Sequence, residues 1–454
     1  MISNAHGRRY LVNAILITAD VIFLYLIFRL SFLLRQVLTP FFLREAVWSS
    51  TEPLMQMGIL FCVAVFFIQG LYPGYGLTAV RELEKMGKAI TLAFFLLAGV
   101  SFLVKPFQDY SRSILLIGWI LSMVMLPLVH FIVRSFISRF SWYGVPVVVF
   151  GDGAWARQIV TSLRRIRRLG WYSTKLLPVK SIRRQDSAPL GEIAILALSP
   201  GTPADKYARL LNKSYRKVIL FRQAENLGSL WIEPRDLEGQ LGLEVHYHLF
   251  EGPSKWVKRS IDFGASLILL IALIPFWAIL ALLVYIDSPG PVFFYQERLG
   301  EGFKRFKVIK FRTMEMNAEQ NLYELLKNDP AARLEYEKHH KLMRDPRVTR
   351  VGRWLRRYSL DELPQLWNAL KGEMSLVGPR AYLPSELQKM GGYAATILRV
   401  KPGLTGWWQV AGRHNTTFHE RLRMDEYYIS NWSLWMDAYI LFKTVLVIIS
   451  GRGI

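Results

Sequence analysis

The most informative segment of the chain reads Arg356-Arg-Tyr-Ser-Leu-Asp-Glu-Leu-Pro-Gln365. Its Ser359 and Glu362 match a helix capping box, which is the purely structural interpretation. Pro364 disfavours that register, because as the fifth helical residue it would lack a needed amide and crowd the preceding turn. If Asp361 is the N-cap instead, Pro364 is third and gives up only an amide that has no partner within the helix. The sequence therefore predicts Asp361 and Glu362 at a helix N-terminus.

This position suits phosphate chemistry. The free amides and the positive end of the helix dipole favour phosphate. A carboxylate at such a site is expected to stay ionised, and it can attack phosphorus to form an acyl phosphate. Glu362 points about 100° away from Asp361 around a helix, where it can hold Mg²⁺, an ion that takes one or two carboxylates plus substrate phosphates. The alternative is a capping Asp361 beside a solvated Glu362.

Cationic side chains flank the acidic pair. Four of them lie in apolar or turn-rich sequence: Lys310, Arg312, Arg356 and Arg380. An arginine fork fits phosphate oxygens and lysine acts as a point charge, and phosphoryl transfer depends mainly on such electrostatic stabilisation. The alternative is surface charge that meets lipid headgroups, and it applies most to Arg353 and Arg357.

The composition places these motifs in a membrane protein. The chain has 454 residues, is 52% hydrophobic and carries a formal net charge of +22. Such a chain is typical of proteins at anionic membrane surfaces or of proteins that bind phosphates. Nucleic acid is the weaker interpretation, because long apolar segments are present. With Cys62 as its single cysteine, the chain forms no intrachain disulfide, which fits a reducing compartment.

Four apolar segments occupy the first third, and each approaches the roughly 20 residues that a spanning helix needs. They are Leu11–Leu34, Pro53–Leu71, Ala89–Val104 and Ile114–Val133. They predict a four-helix transmembrane domain over residues 1–140. Basic residues in the loops favour a cytoplasmic N-terminus and a cytoplasmic exit after the fourth segment.

Residues 141–250 alternate β-rich runs with polar helical stretches, which predicts an α/β domain with a mostly parallel sheet. The predicted strands are Val145–Phe150, Ile193–Leu198 and Lys217–Phe221, and the predicted helices are Ala154–Arg168 and Pro203–Lys213. Gly151-Asp-Gly-Ala-Trp-Ala156 is a variant of the dinucleotide fingerprint, so the domain is predicted to be Rossmann-like. No acidic residue is placed to hold a ribose, which favours a structural or regulatory role. A linker is predicted at Glu251–Ser254.

A fifth apolar run, Phe263–Ile286, has Pro275 at its centre and basic residues on both sides. Proline removes one backbone hydrogen bond and kinks a helix. We therefore expect a re-entrant membrane helix over residues 260–286, with both ends in the cytoplasm. The alternative is an ordinary fifth span with a tolerated proline. The apolar stretch Trp432–Ile449, which contains Asp437 and Lys443, predicts a helix lying in the membrane interface.

Four ordered motifs carry a family resemblance: Lys310-Phe-Arg-Thr-Met314, Ser359-Leu-Asp-Glu-Leu-Pro-Gln-Leu366, Met374-Ser-Leu-Val-Gly-Pro-Arg380 and Lys401-Pro-Gly-Leu-Thr-Gly406. They resemble the signature of the bacterial sugar transferases, the monotopic polyprenyl-phosphate phosphoglycosyl transferases. The whole plan is similar to the large members, with undecaprenyl-phosphate galactose and glucose phosphate transferases as the nearest type. The resemblance implies an α-rich monotopic catalytic domain over residues 251–454. One departure is Ile274-Pro275, where small members often have Ser-Pro.

The resemblance also implies roles. Asp361 is expected to be the nucleophile that takes a sugar phosphate from a UDP-sugar and releases UMP, before undecaprenyl phosphate attacks in a second step. Glu362 is expected to hold Mg²⁺. The residues predicted to bind phosphates or the nucleotide are Lys310, Arg312, Arg356, Arg380, Thr405, Gln409 and Arg413.

The expected activity is the first membrane step of surface polysaccharide synthesis, with galactose favoured over glucose as the sugar. The expected location is the bacterial inner membrane, with the catalytic domain on the cytoplasmic face. Membrane lipids and a second copy of the chain are the expected partners, and nucleic acid is not. A nucleotide-sugar dehydratase is disfavoured, because the last third offers no second Rossmann unit with a Tyr-x-x-x-Lys pair. A catalytically inactive scaffold for polysaccharide assembly remains the alternative.

Overall fold

The computed structural model describes residues 3–39, 48–103, 112–184, 192–198, 204–211, 214–222, 232–237, 240–245, 252–329, 333, 345–412 and 416–450. The chain divides into two compact units, Met1–Leu227 and Gly228–Ile454.

Four long helices begin the first unit: α1 (Ser3–Val37), α2 (Trp48–Ile68), α3 (Ala79–Leu103) and α4 (Arg112–Ile137). Each is long and apolar enough to cross a membrane, which confirms the four predicted segments. The helix α3 begins well before the predicted Ala89. Its polar first turns are supported by ion pairs from Glu84 to Arg81 and Lys88 at 3.7 and 2.7 Å, since such pairs at helical spacing stabilise a helix.

A buried polar cluster explains how charges are tolerated inside the apolar helices. Asp20 of α1 accepts a hydrogen bond from the Tyr72 hydroxyl at 2.5 Å and lies 2.9 Å from His130 Nε2 of α4. Glu82 of α3 pairs with Arg134 at 2.8 Å and with Arg168 at 2.6 Å. Each carboxylate therefore has a cationic or hydrogen-bonding partner, as intramembrane charges require.

The rest of the first unit is a parallel sheet with helices. Its strands are β1 (Val145–Gly151), β2 (Trp171–Leu177), β3 (Ile193–Leu198) and β4 (Lys217–Arg222), in the order β2-β1-β3-β4 and all parallel. The helices α5 (Gly153–Arg165) and α6 (Ala204–Leu211) follow β1 and β3. Both faces of β1 are buried, as is typical of a parallel sheet. The predicted parallel α/β arrangement is therefore present.

The second unit begins with an antiparallel hairpin of β5 (Ile232–Leu237) and β6 (Gln240–Val245). The helix α7 (Gly252–Ala272) follows. The predicted linker is therefore wrong from Gly252 onwards, and Glu251 lies outside the described residues. Pro253 did not prevent the helix, because its missing amide falls in the first turn, where no intrahelical partner exists.

The helix α7 is followed by α8 (Ile274–Asp287), bent by 66° relative to it. Pro275 lies in the first turn of α8, where its missing amide leaves the Ile271 carbonyl without the usual helical partner. The hydrogen-bond ladder resumes where the Trp277 amide donates to the Leu273 carbonyl at 2.9 Å. The predicted kink at Pro275 is confirmed.

Polar residues near the start of α7 fix it to the rest of the unit. Lys258 pairs with Asp437 at 2.5 Å. Arg259 donates to the carbonyls of Ala369 and Leu370 at 2.6 and 2.7 Å. Beyond this anchored part, isoleucine side chains are exposed along the bent pair, at Ile268, Ile271, Ile274, Ile279 and Ile286. The pair therefore has a polar anchored end and an apolar remainder.

The remaining elements form an α-rich domain around two small sheets. They are β7 (Phe293–Leu299), β8 (Arg305–Phe311), α9 (Ala318–Asn328), α10 (Arg350–Arg357), α11 (Gln365–Lys371), β9 (Ser375–Val377), α12 (Leu387–Met390), α13 (Tyr393–Ile397), β10 (Gly403–Thr405), α14 (Trp407–Ala411), α15 (Phe418–Ser430) and α16 (Leu434–Ile449). The strands β7 and β8 pair as an antiparallel hairpin, and β9 and β10 are parallel.

The helix α16 matches the predicted C-terminal helix. Asp437, which interrupts the apolar sequence of this helix, is buried and accepts several hydrogen bonds. It accepts hydrogen bonds from Lys258 at 2.5 Å, from the Tyr428 hydroxyl at 2.7 Å and from Trp432 Nε1 at 3.1 Å. Its charge is therefore compensated inside the protein.

Candidate active site

The acidic pair lies in a single 3-10 turn, Leu360–Glu362. The predicted N-cap role of Asp361 is wrong, because α11 begins only at Gln365, with Pro364 as its N-cap. Ser359, which precedes the turn, has a φ of 53°. This left-handed conformation is uncommon for residues other than glycine and is often found at functional sites. The backbone therefore leaves the right-handed conformation at Ser359, and the acidic pair lies between α10 and α11.

Lys310 of β8 forms an ion pair with Glu362, the second residue of the acidic pair. Its Nζ lies 2.6 Å from Oε1 of Glu362, and both side chains are half-buried. Burial alone would raise the pKa of Glu362, but the ion pair with Lys310 outweighs it and lowers that pKa below its usual range. Glu362 is therefore ionised at neutral pH, and its negative charge is paired with the positive charge of Lys310.

Asp361 behaves differently from its neighbour. Burial and the negative charge of Glu362 raise the pKa of Asp361 to about 6, against the opposing charges of Lys310 and Arg356. Asp361 is therefore protonated more easily than the expected helix N-terminus would allow. At pH 7 the group is still mostly ionised, but it is more basic than an ordinary aspartate. Two adjacent carboxylates with separated pKa values are typical of catalytic sites.

Arg356 of α10 lies on the other side of Asp361. Its Nε donates to Thr313 Oγ1 at 2.9 Å, and its charge interacts with Asp361 and Asp345. Thr313 belongs to the motif that begins at Lys310, so two distant segments meet at the acidic turn. The structure therefore brings Lys310, Asp361 and Arg356 together as the sequence predicted.

Arg312 is placed elsewhere. Its guanidinium donates to the Ser288 carbonyl just after α8, and its Nη1 lies 2.8 Å from the sulfur of Met316. The residue is 9% exposed. These contacts fix the chain where the bent helix pair ends, and no described contact joins Arg312 to the acidic turn.

Arg380 approaches the site from the loop after β9. Its charge lowers the pKa of Glu362, and its guanidinium lies 3.8 Å from Glu386. The backbone amide of Arg380 donates to Asp425 Oδ2 at 3.0 Å. Arg298, which the sequence analysis missed, donates to the Ala381 carbonyl at 2.9 Å. Arg298 and Asp425 therefore hold the Arg380 loop from two directions.

Motif glycines make this loop possible. A side chain on Gly378 would lie 2.7 Å from the backbone nitrogen of Gly403, and one on Gly403 would lie 2.1 Å from the nitrogen of Gly378. Only glycine allows two backbones to approach so closely. Both glycine-containing motifs therefore serve first to pack β9 against β10 and so to place Arg380.

Two of the remaining predicted binding residues have described contacts with segments other than the acidic turn. Thr405 is buried, and its Oγ1 lies 2.7 Å from Oγ1 of Thr444. Gln409 Nε2 donates to the Leu404 carbonyl at 3.5 Å. Arg413 lies outside the described residues.

The acidic pair suits Mg²⁺ that is also bound by water and substrate oxygens. Within the described part of the chain, no three His, Cys, Asp or Glu side chains are grouped as a metal site. Asp361 and Glu362 supply two carboxylates, and Mg²⁺ commonly completes such a set with water and substrate phosphates. Burial, followed by the negative charge of Glu362, raises the pKa of Asp361, and a bound cation would oppose both effects.

Comparison with known proteins identifies the family. Residues 253–451, which contain the acidic turn, match the family model described as bacterial sugar transferase. The chain is also 30% identical over 413 residues to the UDP-galactose-lipid carrier transferase of Erwinia amylovora, and the match covers 86% of each chain. The chain belongs to the bacterial sugar transferase family.

Two other relatives match this sugar transferase over different lengths. The undecaprenyl-phosphate galactose phosphotransferase of Salmonella typhimurium is 32% identical over 420 residues and 86% of each chain. The exopolysaccharide production protein ExoY of Sinorhizobium fredii is 44% identical over 196 residues, which are 43% of this chain and 87% of ExoY. Nearly the whole length of this smaller relative therefore matches less than half of the present chain.

Proposed function

We propose that this sugar transferase moves a hexose-1-phosphate, galactose or else glucose, from a UDP-sugar to undecaprenyl phosphate and releases UMP. The main support is the acidic turn, where Asp361 and Glu362 meet Lys310, Arg356 and Arg380. A half-buried carboxylate surrounded by cations suits attack on a phosphate ester. The names of the Erwinia and Salmonella relatives agree with this activity.

The reaction runs in two displacements at one phosphorus. In the first, Asp361 attacks the phosphorus that bears the sugar, the bond to the bridging oxygen breaks, and its electron pair leaves with UMP. This step gives an aspartyl phospho-sugar. In the second, a phosphate oxygen of undecaprenyl phosphate attacks the same phosphorus and frees the Asp361 carboxylate. The product is undecaprenyl diphosphate sugar.

The cations act through charge. Arg356, beside Asp361, counters the charge on the phosphoryl group under attack, while Lys310 keeps Glu362 ionised. Arg380 lies on the Glu362 side and faces the departing phosphate. Glu362, with Asp361 nearby, would hold Mg²⁺, and the bound ion would supply positive charge to neutralise the diphosphate.

Membrane placement follows from the bent helix pair. We propose that α7 and α8 form a re-entrant helix that enters one leaflet and returns. The basic flanks, the 66° bend and the anchoring of Lys258 and Arg259 support this arrangement. Lysine and arginine excess marks cytoplasmic segments, so the catalytic unit is assigned to the cytoplasmic face of the inner membrane. The helix α16 lies in the interface.

The parallel sheet of the first unit has a different role in this proposal. Its strand order and the turn at Gly151 suit a Rossmann-like domain, because a side chain on Gly151 would lie 2.8 Å from the Cβ of Ala156 in α5. Close strand–helix approach is one use of glycine in that fingerprint. We assign the domain a structural or regulatory role, including contacts in a homodimer.

An assay of UMP release tests the activity. The purified full-length protein is incubated with UDP-galactose, UDP-glucose or UDP-N-acetylgalactosamine, with and without undecaprenyl phosphate, and with Mg²⁺ or EDTA. We expect UMP and a lipid-linked product with a UDP-hexose, and loss of both in EDTA. Asp361→Asn is the inactive control. If no UDP-sugar yields UMP although the protein binds assembly partners, the scaffold alternative holds instead.

A further inference from the structure

A second arginine lies beside Arg380 and has no part in the function described so far. Arg421 of α15 lies over the indole ring of Trp408, with its guanidinium carbon 5.2 Å from the ring centroid. The guanidinium carbon of Arg380 lies 5.7 Å from the same centroid. Arg421 also donates to the Thr416 carbonyl at 3.3 Å. Two guanidinium groups therefore share one aromatic ring.

Buried polar atoms around this ring lack hydrogen-bond partners. Among the described residues they are Arg421 Nε, Trp408 Nε1, Thr416 Oγ1 and Asp425 Oδ1. Buried polar atoms without a partner are rare in proteins, and each one requires an explanation. The first three can donate hydrogen bonds, so together they suit a ligand that is rich in acceptor oxygens.

The charge balance at this place also indicates an anion. Burial and the nearby charge of Arg380 lower the pKa of Arg421. Glu386 compensates part of the positive charge of Arg380, since its carboxylate lies 3.8 Å from the guanidinium. Burial raises the pKa of Asp425 to about 7, although hydrogen bonds from Arg380 and Tyr382 oppose the rise, so Asp425 is only partly ionised at neutral pH. The two guanidinium groups therefore carry more charge than their neighbours compensate.

The positions of Glu362, Arg380 and Arg421 indicate the direction in which a bound donor extends from the acidic turn. Arg380 interacts with Glu362 in the acidic turn and with Arg421 beside it. If Asp361 attacks the phosphorus that bears the sugar, the leaving nucleotide extends away from Asp361 and past Arg380. This direction leads to Arg421.

We propose that Arg421, together with Trp408 and Thr416, binds the nucleotide half of the donor, which departs as a nucleoside monophosphate. Arg421 donates to its phosphate or carbonyl oxygens, and the two guanidinium groups share its negative charge. This assignment rests on the proposed function and adds a binding residue to it.

Binding of UMP to the purified full-length protein, measured by titration calorimetry, tests the assignment. Arg421→Gln is expected to weaken UMP binding by about tenfold or more, the scale of a lost hydrogen bond to a charged group. Binding of galactose-1-phosphate is expected to stay within about twofold, as expected for a residue away from the sugar phosphate. Arg423→Gln is the matched control, because Arg423 is exposed on the same helix, and it is expected to change neither affinity.

Two further variants separate binding from folding. Arg421→Lys keeps the charge but loses the planar fork, so an intermediate loss is expected. Trp408→Phe keeps a ring and removes one unpartnered donor, so a loss of several-fold is expected. Thermal unfolding of each variant checks that it is folded.

The outcomes are distinct. Unchanged UMP affinity in folded Arg421→Gln and Trp408→Phe, or loss of galactose-1-phosphate instead of UMP, overturns the assignment while the proposed function stands. If the wild-type protein neither binds nor releases UMP, the proposed function itself fails.

Discussion

The ammonium group of Lys310 lies 2.6 Å from a carboxylate oxygen of Glu362. This contact joins the β7–β8 hairpin to the acidic turn, and the charge of Lys310 lowers the pKa values of both Glu362 and Asp361. One lysine therefore helps to keep two neighbouring acids ionised, although burial acts in the opposite direction on each.

Replacing Lys310 tests this role. In Lys310→Met both pKa values rise, so more of the nucleophile is protonated at a given pH. We expect the acidic limb of the pH–rate profile for UMP release to move upward by roughly one pH unit, the scale of a lost neighbouring charge. Lys307→Met is the control, because Lys307 is exposed on the same strand. An unchanged profile in the Lys310 variant contradicts the assignment.

Asp361→Asn is expected to stabilise the protein while it abolishes activity. Because folding raises the pKa of Asp361 to about 6 from an ordinary 3.8, the folded state binds more protons between these values and loses stability as pH rises through them. The variant is therefore expected to melt a few degrees higher than the wild type at pH 7. At pH 4 the difference should nearly vanish.

Glu362→Gln is expected to change the melting temperature in the opposite direction from Asp361→Asn. Folding lowers the pKa of Glu362, so its carboxylate adds stability above its ordinary pKa, and this stability is lost as pH falls. The glutamine variant is expected to melt lower than the wild type at pH 7. Shifts of equal sign in the two variants are incompatible with this electrostatic description of the turn.

The buried pair of Lys258 and Asp437 is expected to contribute to stability. Their side chains are 11% and 12% exposed, so Lys258→Met leaves a buried carboxylate without its cation, which costs roughly 3 kcal/mol. Chemical denaturation in detergent measures the loss. Lys255→Met is the control, because the Lys255 side chain is 60% exposed in its pair with Glu301 and such pairs contribute within about 1 kcal/mol. Equal effects of the two changes contradict a special role for the buried pair.

Local sequence patterns were sufficient to predict the long apolar helices and most strands of the parallel sheet. The apolar runs predicted four long helices, and the β-rich runs predicted three of the four described strands of the parallel sheet but missed β2, because hydrophobic periodicity mainly reports local structure. Pro275 correctly marked the bend, since its missing amide acts within one turn. Lys310 and Arg356 were placed near Asp361 only because several charged motifs were considered together.

Features that depend on distant partners were not predictable from the sequence. Asp437 interrupts an apolar run, but its partner Lys258 lies 179 positions away. Pro364 correctly excluded the capping-box register, yet it did not reveal that Ser359 adopts a left-handed conformation and that a separate 3-10 turn forms. Arg298 and Arg421 were missed because both lie outside the four motifs that carry the family resemblance, and only the folded chain brings them to Arg380.

Cysteine labelling tests the re-entrant arrangement. Cys62 is buried and is replaced by serine. Single cysteines are introduced at two exposed positions, Lys255 in the first turn of α7 and Lys304 beyond the end of α8. We expect an impermeant thiol reagent to label both only after the inner membrane is permeabilised. If the cysteine at position 304 is labelled in intact spheroplasts while that at 255 is not, the helix pair spans the membrane.

The central claim is that Asp361 carries the phospho-sugar. The most direct test is rapid quenching of the purified protein with a UDP-hexose in the absence of undecaprenyl phosphate, followed by mass spectrometry of the peptide that contains residues 358–371. We expect a hexose phosphate adduct on Asp361, which disappears when undecaprenyl phosphate is added and never forms in Asp361→Asn. An adduct on another residue, or an Asp361→Asn protein that releases UMP at the wild-type rate, would contradict the claim.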